Sequence, residues 1–375
     1  MASNENGDQT QLLRKPEESA FKQQKMKAWQ PILYPKWVIS FFFLIGVLFI
    51  IIGGASYSSS NSVVEYKFQY DGDGAESNEC KIDRYKEGKN CTISFEVQDD
   101  MEQPIYVYYQ LTNFYQNHRR YVQSRYDSQL QGEELYPVED YCSPLTRNNT
   151  QDLNPCGLVA NSLFNDIIVA TSHVMKETDI SWESDREYKF AQPPGFEYRI
   201  VGEDAGSCTN ATMTCSCYEV FGDTNHETCE KYEDFDGTVY YYFYPDNDNI
   251  QYLYETFPEV ISPIEGVTNE HFIVWMRTAA LPSFRKLYGI IETDVSAGDT
   301  ITFDITSNYL VSAFDGTKAI VIGTGSWFGG QNPYLGISYL IVGVICVVLS
   351  ISFLIKHCIA PRQPGDDAFL IWKEQ

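Results

Sequence analysis

The chain has 375 residues, with 51 acidic side chains against 27 basic ones and a net charge of −24. That balance excludes a nucleic-acid binder, whose surface must neutralise phosphates. Two long apolar stretches without a single Asp, Glu, Lys or Arg exclude an ordinary soluble domain and predict an integral membrane protein.

Residues 1–37 carry six Lys/Arg against four acids and precede the first apolar run, 38–55. A helix of that length, at 1.5 Å per residue, is about long enough to cross a hydrocarbon core of roughly 30 Å. Trp29, Tyr34 and Trp37 before it, and Tyr57 after it, stand where amphipathic rings settle at the membrane faces. A cleaved signal peptide fits less well, because both the apolar run and the segment before it exceed the usual lengths. The second run covers 335–355, and the tail behind it has three basic and three acidic residues. The remaining 18 basic and 44 acidic residues lie between the spans. Short flanks enriched in Lys/Arg stay in the cytosol, while long domains cross whatever their charge. The expected layout is a cytosolic tail (1–37), a span (38–57), a lumenal or extracellular domain (58–334), a second span (335–355) and a cytosolic tail (356–375).

Between the spans lie eight of the ten cysteines: Cys80, Cys91, Cys142, Cys156, Cys208, Cys215, Cys217 and Cys229. An even set confined to the oxidising side reads as a disulfide framework. Sequence-near pairing joins Cys80 with Cys91 and Cys142 with Cys156; the other four allow three connectivities. A zinc site at Cys215, Cys217, His226 and Cys229 fits poorly, since zinc pairs prefer wider spacing and lumenal thiols oxidise. Three sequons, at Asn90, Asn148 and Asn210, share the same region and predict N-glycosylation there.

The local pattern is β. The stretches 105–109, 239–244 and 300–305 are rich in aromatic and β-branched residues, with turn residues between such runs. The expected fold is a mainly β ectodomain, an antiparallel β-sandwich with long insertions linked by disulfides, plus two transmembrane α-helices. Helical pieces are expected at 161–172 and at 282–291, where Pro282 suits a first helical turn. Residues 203–250, acidic and holding four cysteines, read as a stapled excursion from the main domain.

No HExxH, GxSxG, Walker or dinucleotide-binding glycine pattern is present. The acidic turns at 71–75 and 246–250 fail the EF-hand template at its fifth and sixth positions. No enzyme activity and no cofactor or metal is therefore expected. The spans lack the ionisable groups that line solute pathways, so they anchor and pack instead of conducting. Gly46 and Gly53 in the first span, and Gly336 and Gly343 in the second, are two turns apart and suit a close helix contact, with the other span or with another protein. Two readings of other classes compete: a glycosylated cell-surface receptor or adhesion protein, and a lumenal hydrolase working through paired carboxylates.

Several longer strings carry a resemblance. Phe21-Lys-Gln-Gln24 with Trp29-Gln-Pro-Ile-Leu33, Asn113-Phe-Tyr-Gln-Asn-His-Arg-Arg-Tyr121, and Pro155-Cys-Gly157 with Ala160-Asn-Ser-Leu-Phe-Asn-Asp166 are similar to strings of the cell division control protein 50 family. So are 272–282, 284–288 and 326–333, in the same order along the chain. The resemblance implies a non-catalytic β-subunit of type IV P-type ATPases, the pumps that move phospholipids to the cytosolic leaflet. It implies a heterodimer with the catalytic α-subunit, support of that subunit's folding, endoplasmic-reticulum exit and activity, and residence in the endoplasmic reticulum, Golgi, endosome or plasma membrane. It also implies a sandwich ectodomain covering the pump's exoplasmic loops, and it carries over the pairs Cys80–Cys91 and Cys142–Cys156.

The partner-binding candidates that follow are Phe21, Lys22, Gln23, Gln24, Trp29, Gln30 and Pro31 in the tail. On the other side they are His118, Arg119 and Arg120, near Arg125, together with Arg277 and Arg285. The competing reading of the tail is a juxtamembrane anchor on acidic membrane lipids, each Lys contributing about 1 kcal/mol. For the arginines it is ion pairing inside an acid-rich domain.

Overall fold

The computed structural model describes residues 19–27, 34–76, 79–209, 215–222, 229–326 and 329–361. The chain divides into two compact units, one made of the two terminal segments up to Tyr57 and from Tyr334, the other of Ser58–Pro333.

The first unit is a pair of 27-residue helices, Pro35–Asn61 and Pro333–Ile359. Both are long and apolar enough to cross a membrane. They meet through glycine. A methyl group on Gly46 would stand 2.9 Å from the Gly343 carbonyl oxygen, and one on Gly53 3.0 Å from that of Gly336. Seven residues separate the two contacts on each helix, so both lie on one face, and the missing side chains bring the backbones together. Ser350 adds a hydrogen bond from its Oγ to the Ile39 carbonyl of the opposite helix, at 2.9 Å. Edge-on ring pairs, Phe49 with Tyr339 and Phe42 with Phe353, flank the seam. Of the two partners that the glycine spacing allowed, each helix uses the other.

The second unit is mainly β. Its largest sheet is antiparallel, in the order Glu65–Asp71, Lys318–Thr324, Ile105–Leu111, Phe284–Ile291, Met175–Lys176. Against it lies an antiparallel sheet of Lys89–Glu96, Thr300–Ser307 and Ile167–Ala170. Alternation decides which faces meet: Cys91, Ile93 and Phe95 turn inward from one strand and Ile301, Phe303 and Ile305 from its neighbour, while the residues between them are mostly exposed. Phe95 bridges the layers, its ring 6.1 Å from Phe68 of the larger sheet and 6.0 Å from Phe303 of its own. The Lys318–Thr324 strand is buried along nearly its whole length, as suits an apolar strand covered on both faces.

Two expected helices are strands. In 161–172 a 3-10 turn at Ala160–Ser162 is followed by Ile167–Ala170, whose β-branched residues pair with Phe303–Thr306. In 282–291 the chain runs as Phe284–Ile291 between two strands, with inward residues alternating and a bulge before Gly289. There the Met175 side chain packs directly on Gly289, where a Cβ would stand 2.5 Å from Met175 Cγ and force that side chain to move. Pairing partners far along the chain overrode the local helical signal in both places.

Between these layers the chain makes its insertions. Arg147–Asn148 and Gln151–Asn154 form a short hairpin that continues, in parallel, into Ile250–Tyr252. A third sheet holds Glu197–Ile200, Val239–Phe243 and Glu230–Glu233. Helix Cys217–Phe221 is set by a Ser216–Glu219 capping box and ends at Gly222, φ 78°. Four disulfides are present: Cys80–Cys91, Cys142–Cys156, Cys208–Cys215 and Cys217–Cys229. The last two resolve the connectivity that spacing left open.

The glycine seam has a direct test. In a protein carrying Ile39→Cys and Ser350→Cys, mild oxidation should join the two helices, and adding Gly343→Leu should abolish the cross-link by wedging the backbones apart. Undiminished cross-linking would contradict the packing.

Candidate functional site

The strings that resemble a known family converge in space. Asn113, in the left-handed region at φ 60°, turns the chain out of the Ile105–Leu111 strand, and its amide donates to the Phe314 carbonyl at 2.5 Å. Phe114 then packs against Tyr121, Trp275, Phe284, Tyr309 and Phe314. Fully buried Gln116 accepts the Ala279 N–H at 2.8 Å, and Asn117 donates to the Ala280 carbonyl at 2.8 Å. Tyr121 meets Ser162 at 2.8 Å, and the Trp275 indole donates to the Val159 carbonyl at 2.8 Å. Three distant strings are thus pieces of one aromatic and amide-stapled core.

Lys286 finishes that core. Its buried ammonium donates to the carbonyls of Val274, Trp275 and Arg277, at 2.9, 2.9 and 2.5 Å, serving the open end of helix Glu270–Met276. Burial, with the Arg277 charge beside it, pushes its pKa down to about 7.

The basic candidates divide into two kinds. Arg277 donates to the nearly inaccessible carboxylate of Asp185 and lies over the exposed Trp182 ring, 5.0 Å from its centroid. Arg285 grips Glu65 with both terminal nitrogens, at 2.7 and 2.8 Å. Both are therefore ion-paired within the domain, although each side chain is 40% exposed or more. His118, Arg119 and Arg120 differ. They head the short helix Arg119–Gln123 on the rim of the aromatic core, all three are exposed, and Arg119 and Arg120 form no ion pair with any described residue. Arg125, close in sequence, is held by Asp127 and the Met276 carbonyl.

Other sequence candidates fall as follows. Residues 20–24 form a turn in which Phe21 is exposed and Gln24 has φ 53°; Lys22 and Gln23 take part through their backbone N–H groups, bonded to Ser19. Trp29, Gln30, Pro31 and the sequon residue Asn210 lie outside the described residues. Asn90 and Asn148 are exposed; Asn90 accepts from Thr306 at 2.9 Å, and Asn148 donates to Gln251 at 2.8 Å. Among the described residues no three His, Cys, Asp or Glu side chains gather as a metal site.

One constellation escaped sequence reading. Lys318, wholly buried, stands 2.8 Å from Asp166 and 3.3 Å from Asp71, and donates to Ser307 Oγ and the Tyr309 carbonyl at 2.7 and 2.8 Å. Asp166 also accepts from the Tyr70 hydroxyl at 2.8 Å and from the Asn308 and Tyr309 N–H groups at 2.6 Å. The only sequence signal is a lysine heading an otherwise apolar β run.

Lys318→Met should lower stability by about 3–5 kcal/mol, because it leaves two carboxylates buried without their cation. Adding Asp71→Asn and Asp166→Asn should restore part of the loss in urea unfolding. A second check concerns Asp185, which the Arg277 hydrogen bond holds below the usual carboxylate range. A lowered folded pKa stabilises fully above the unfolded value, and that stabilisation is lost as pH falls through the folded one. Arg277→Ala should accordingly remove part of the acid limb of the stability curve while costing stability at neutral pH.

Comparison with known proteins places these residues in a family. The model of the LEM3 (ligand-effect modulator 3) family / CDC50 family matches residues 56–363. The putative ALA-interacting subunit 4 of Arabidopsis thaliana is 38% identical over 95% of this chain and 93% of its own length. Cell cycle control protein 50A of Mus musculus is 39% identical over 91% of this chain and 89% of its own. Cell cycle control protein 50B of Homo sapiens is 33% identical over 94% and 96%. With the family model covering most of the ectodomain and the second span, and relatives aligned nearly end to end, the chain belongs to the LEM3/CDC50 family.

Proposed function

We propose that this protein is the non-catalytic subunit of a phospholipid flippase, partnered with a type IV P-type ATPase that moves lipids to the cytosolic leaflet. The observation that carries the proposal is family membership over nearly the whole chain, among relatives three of which bear the name of ALA-interacting subunit. The physical features agree with that role. Two apolar helices with no charged residue in 38–55 or 335–355, closed on each other through glycine, serve as an anchor. ATP chemistry and the lipid path then belong to the partner, and this chain contributes binding energy that supports the partner's folding, export and activity.

In this reading both termini are cytosolic, the β unit is lumenal or extracellular, and Asn90, Asn148 and Asn210 carry glycans. The complex resides along the route from the endoplasmic reticulum through Golgi and endosome to the plasma membrane. His118, Arg119 and Arg120 form the charged contact with an acidic or carbonyl-rich loop of the partner, since neither arginine is ion-paired to any described residue. Arg277 and Arg285 add their exposed edges to the contact while their carboxylate partners hold them in place. The tail from Phe21 through Gln24 to Trp29, Gln30 and Pro31 contributes on the cytosolic side.

Depletion of this chain should trap the partner ATPase in the endoplasmic reticulum and abolish its ATP-dependent lipid transport; normal export and transport would contradict the proposal. The interface has its own test. Arg119→Glu with Arg120→Glu changes only exposed side chains, so the ectodomain should keep its unfolding midpoint while recovery of the partner falls and becomes less sensitive to salt. Unchanged recovery would remove this patch from the interface.

A further inference from the structure

Among the insertions is a cleft that the flippase role leaves unused. One wall is a face of the sheet Glu197–Ile200, Val239–Phe243 and Glu230–Glu233, on which Tyr198, Tyr240 and Tyr232 follow one another across adjacent strands; Tyr240 and Tyr232 line the cleft together with Tyr242, and Tyr198 continues the row outside its lining. Neighbouring ring centroids are 6.1 and 6.3 Å apart. The opposite wall is the segment 258–265, and the space between holds a cavity of about 640 Å³. Phe235, at the tip of the turn joining two of the strands, lines the mouth with its ring fully exposed. Deeper in, Tyr254 is 8% exposed, and its buried hydroxyl, near Tyr242 and Asn247, makes no hydrogen bond of good geometry with any described residue.

These features call for a ligand. A fully exposed phenylalanine contributes nothing to a core, and a buried phenol without a partner forfeits a hydrogen bond of the kind that nearly all buried polar groups make. The chemistry narrows the ligand's class. The ionisable groups lining the cleft, apart from tyrosines, are Asp234, Glu259 and Glu265, which repel phosphates and other anions. An ammonium ion wants rings that surround it and a carboxylate left over. Here the tyrosines fan along one wall, Glu259 already faces Lys86 at 3.4 Å, Glu265 already accepts from Asn269 at 2.9 Å, and Asp234 accepts the Phe235 N–H at 2.8 Å. What remains is a flat aromatic platform beside hydroxyl and carboxylate acceptors. That combination matches a sugar, whose apolar C–H face lies on a ring while its hydroxyls donate outward. Strands lie about 4.8 Å apart, so successive tyrosines repeat on the scale of successive pyranose rings.

We propose that this cleft binds a neutral oligosaccharide, laid on Tyr240 and Tyr232 and running on over Tyr198 beyond the cleft, clasped by Phe235 and hydrogen-bonded to the Tyr254 hydroxyl. The ligand's source is a glycan of a neighbouring glycoprotein or a free oligosaccharide, which share this chemistry.

The test is saturation-transfer-difference NMR on the full chain, enzymatically deglycosylated and held in lipid nanodiscs, because sugar-headed detergents would fill the cleft. Chitotriose and mannotriose are the probes. At least one should receive saturation on its ring C–H protons, and Phe235→Ala or Tyr240→Ala should remove that signal while Tyr240→Phe keeps it. Phe235 is exposed, so its loss leaves the fold intact and the comparison valid. If binding is seen, repeating it with the glycoprotein-derived N-glycan core, free and peptide-linked, distinguishes the sources: tighter binding of the linked form indicates a glycoprotein, equal binding a free sugar. No saturation of either trisaccharide, saturation that survives Phe235→Ala and Tyr240→Ala, or saturation of tetramethylammonium in place of both would overturn the proposal.

Discussion

Lys318 ties the two layers of the ectodomain together. Its strand belongs to the larger sheet, as do Tyr70 and Asp71, while Ser307 ends a strand of the facing sheet and Asp166 immediately precedes another. Moving an ammonium out of water costs several kcal/mol unless carboxylates and hydrogen bonds replace the lost hydration. Here two carboxylates, a hydroxyl and a carbonyl do so, drawn from three stretches of chain, at Asp71, at Asp166 and at Ser307 with Tyr309. The arrangement can be satisfied only when both sheets are in register, which couples the sandwich to a single packing. The aromatic core around Phe114 and Trp275 is built on that frame, and the exposed helix carrying Arg119 and Arg120 is built on that core.

The features legible in the sequence were those whose signal is local or compositional. Runs without charge gave the two helices, alternating β-branched and aromatic residues gave the strands at 105–109, 239–244 and 300–305, and glycines seven apart gave the seam. Features that depend on distant partners were hidden. Ile167–Ala170 and Phe284–Ile291 are strands because strands lie ready to pair with them, information that a window of local sequence does not contain. Lys318 gave no sign of its two carboxylates, which sit more than a hundred residues away in the chain. Arg277 and Arg285 were ambiguous for the same reason, since only the fold brings Asp185 and Glu65 beside them.

These physical features agree with the proposed role, that of a protein that works by holding and being held. Its helices are closed on each other, its core strings are structural staples, and Arg119 and Arg120 stand exposed without an ion pair to any described residue. Such an architecture supplies a rigid surface, and rigidity comes from the disulfides, the buried clamp and the aromatic core together.

The central claim, partnership with a lipid-transporting P-type ATPase, is tested most directly by affinity purification of the full chain from native membranes in mild detergent, followed by identification of what comes with it. The account predicts a P-type ATPase in near-equal amount that stays bound through gel filtration. Reproducible purification of the intact, folded chain with no such ATPase would contradict it.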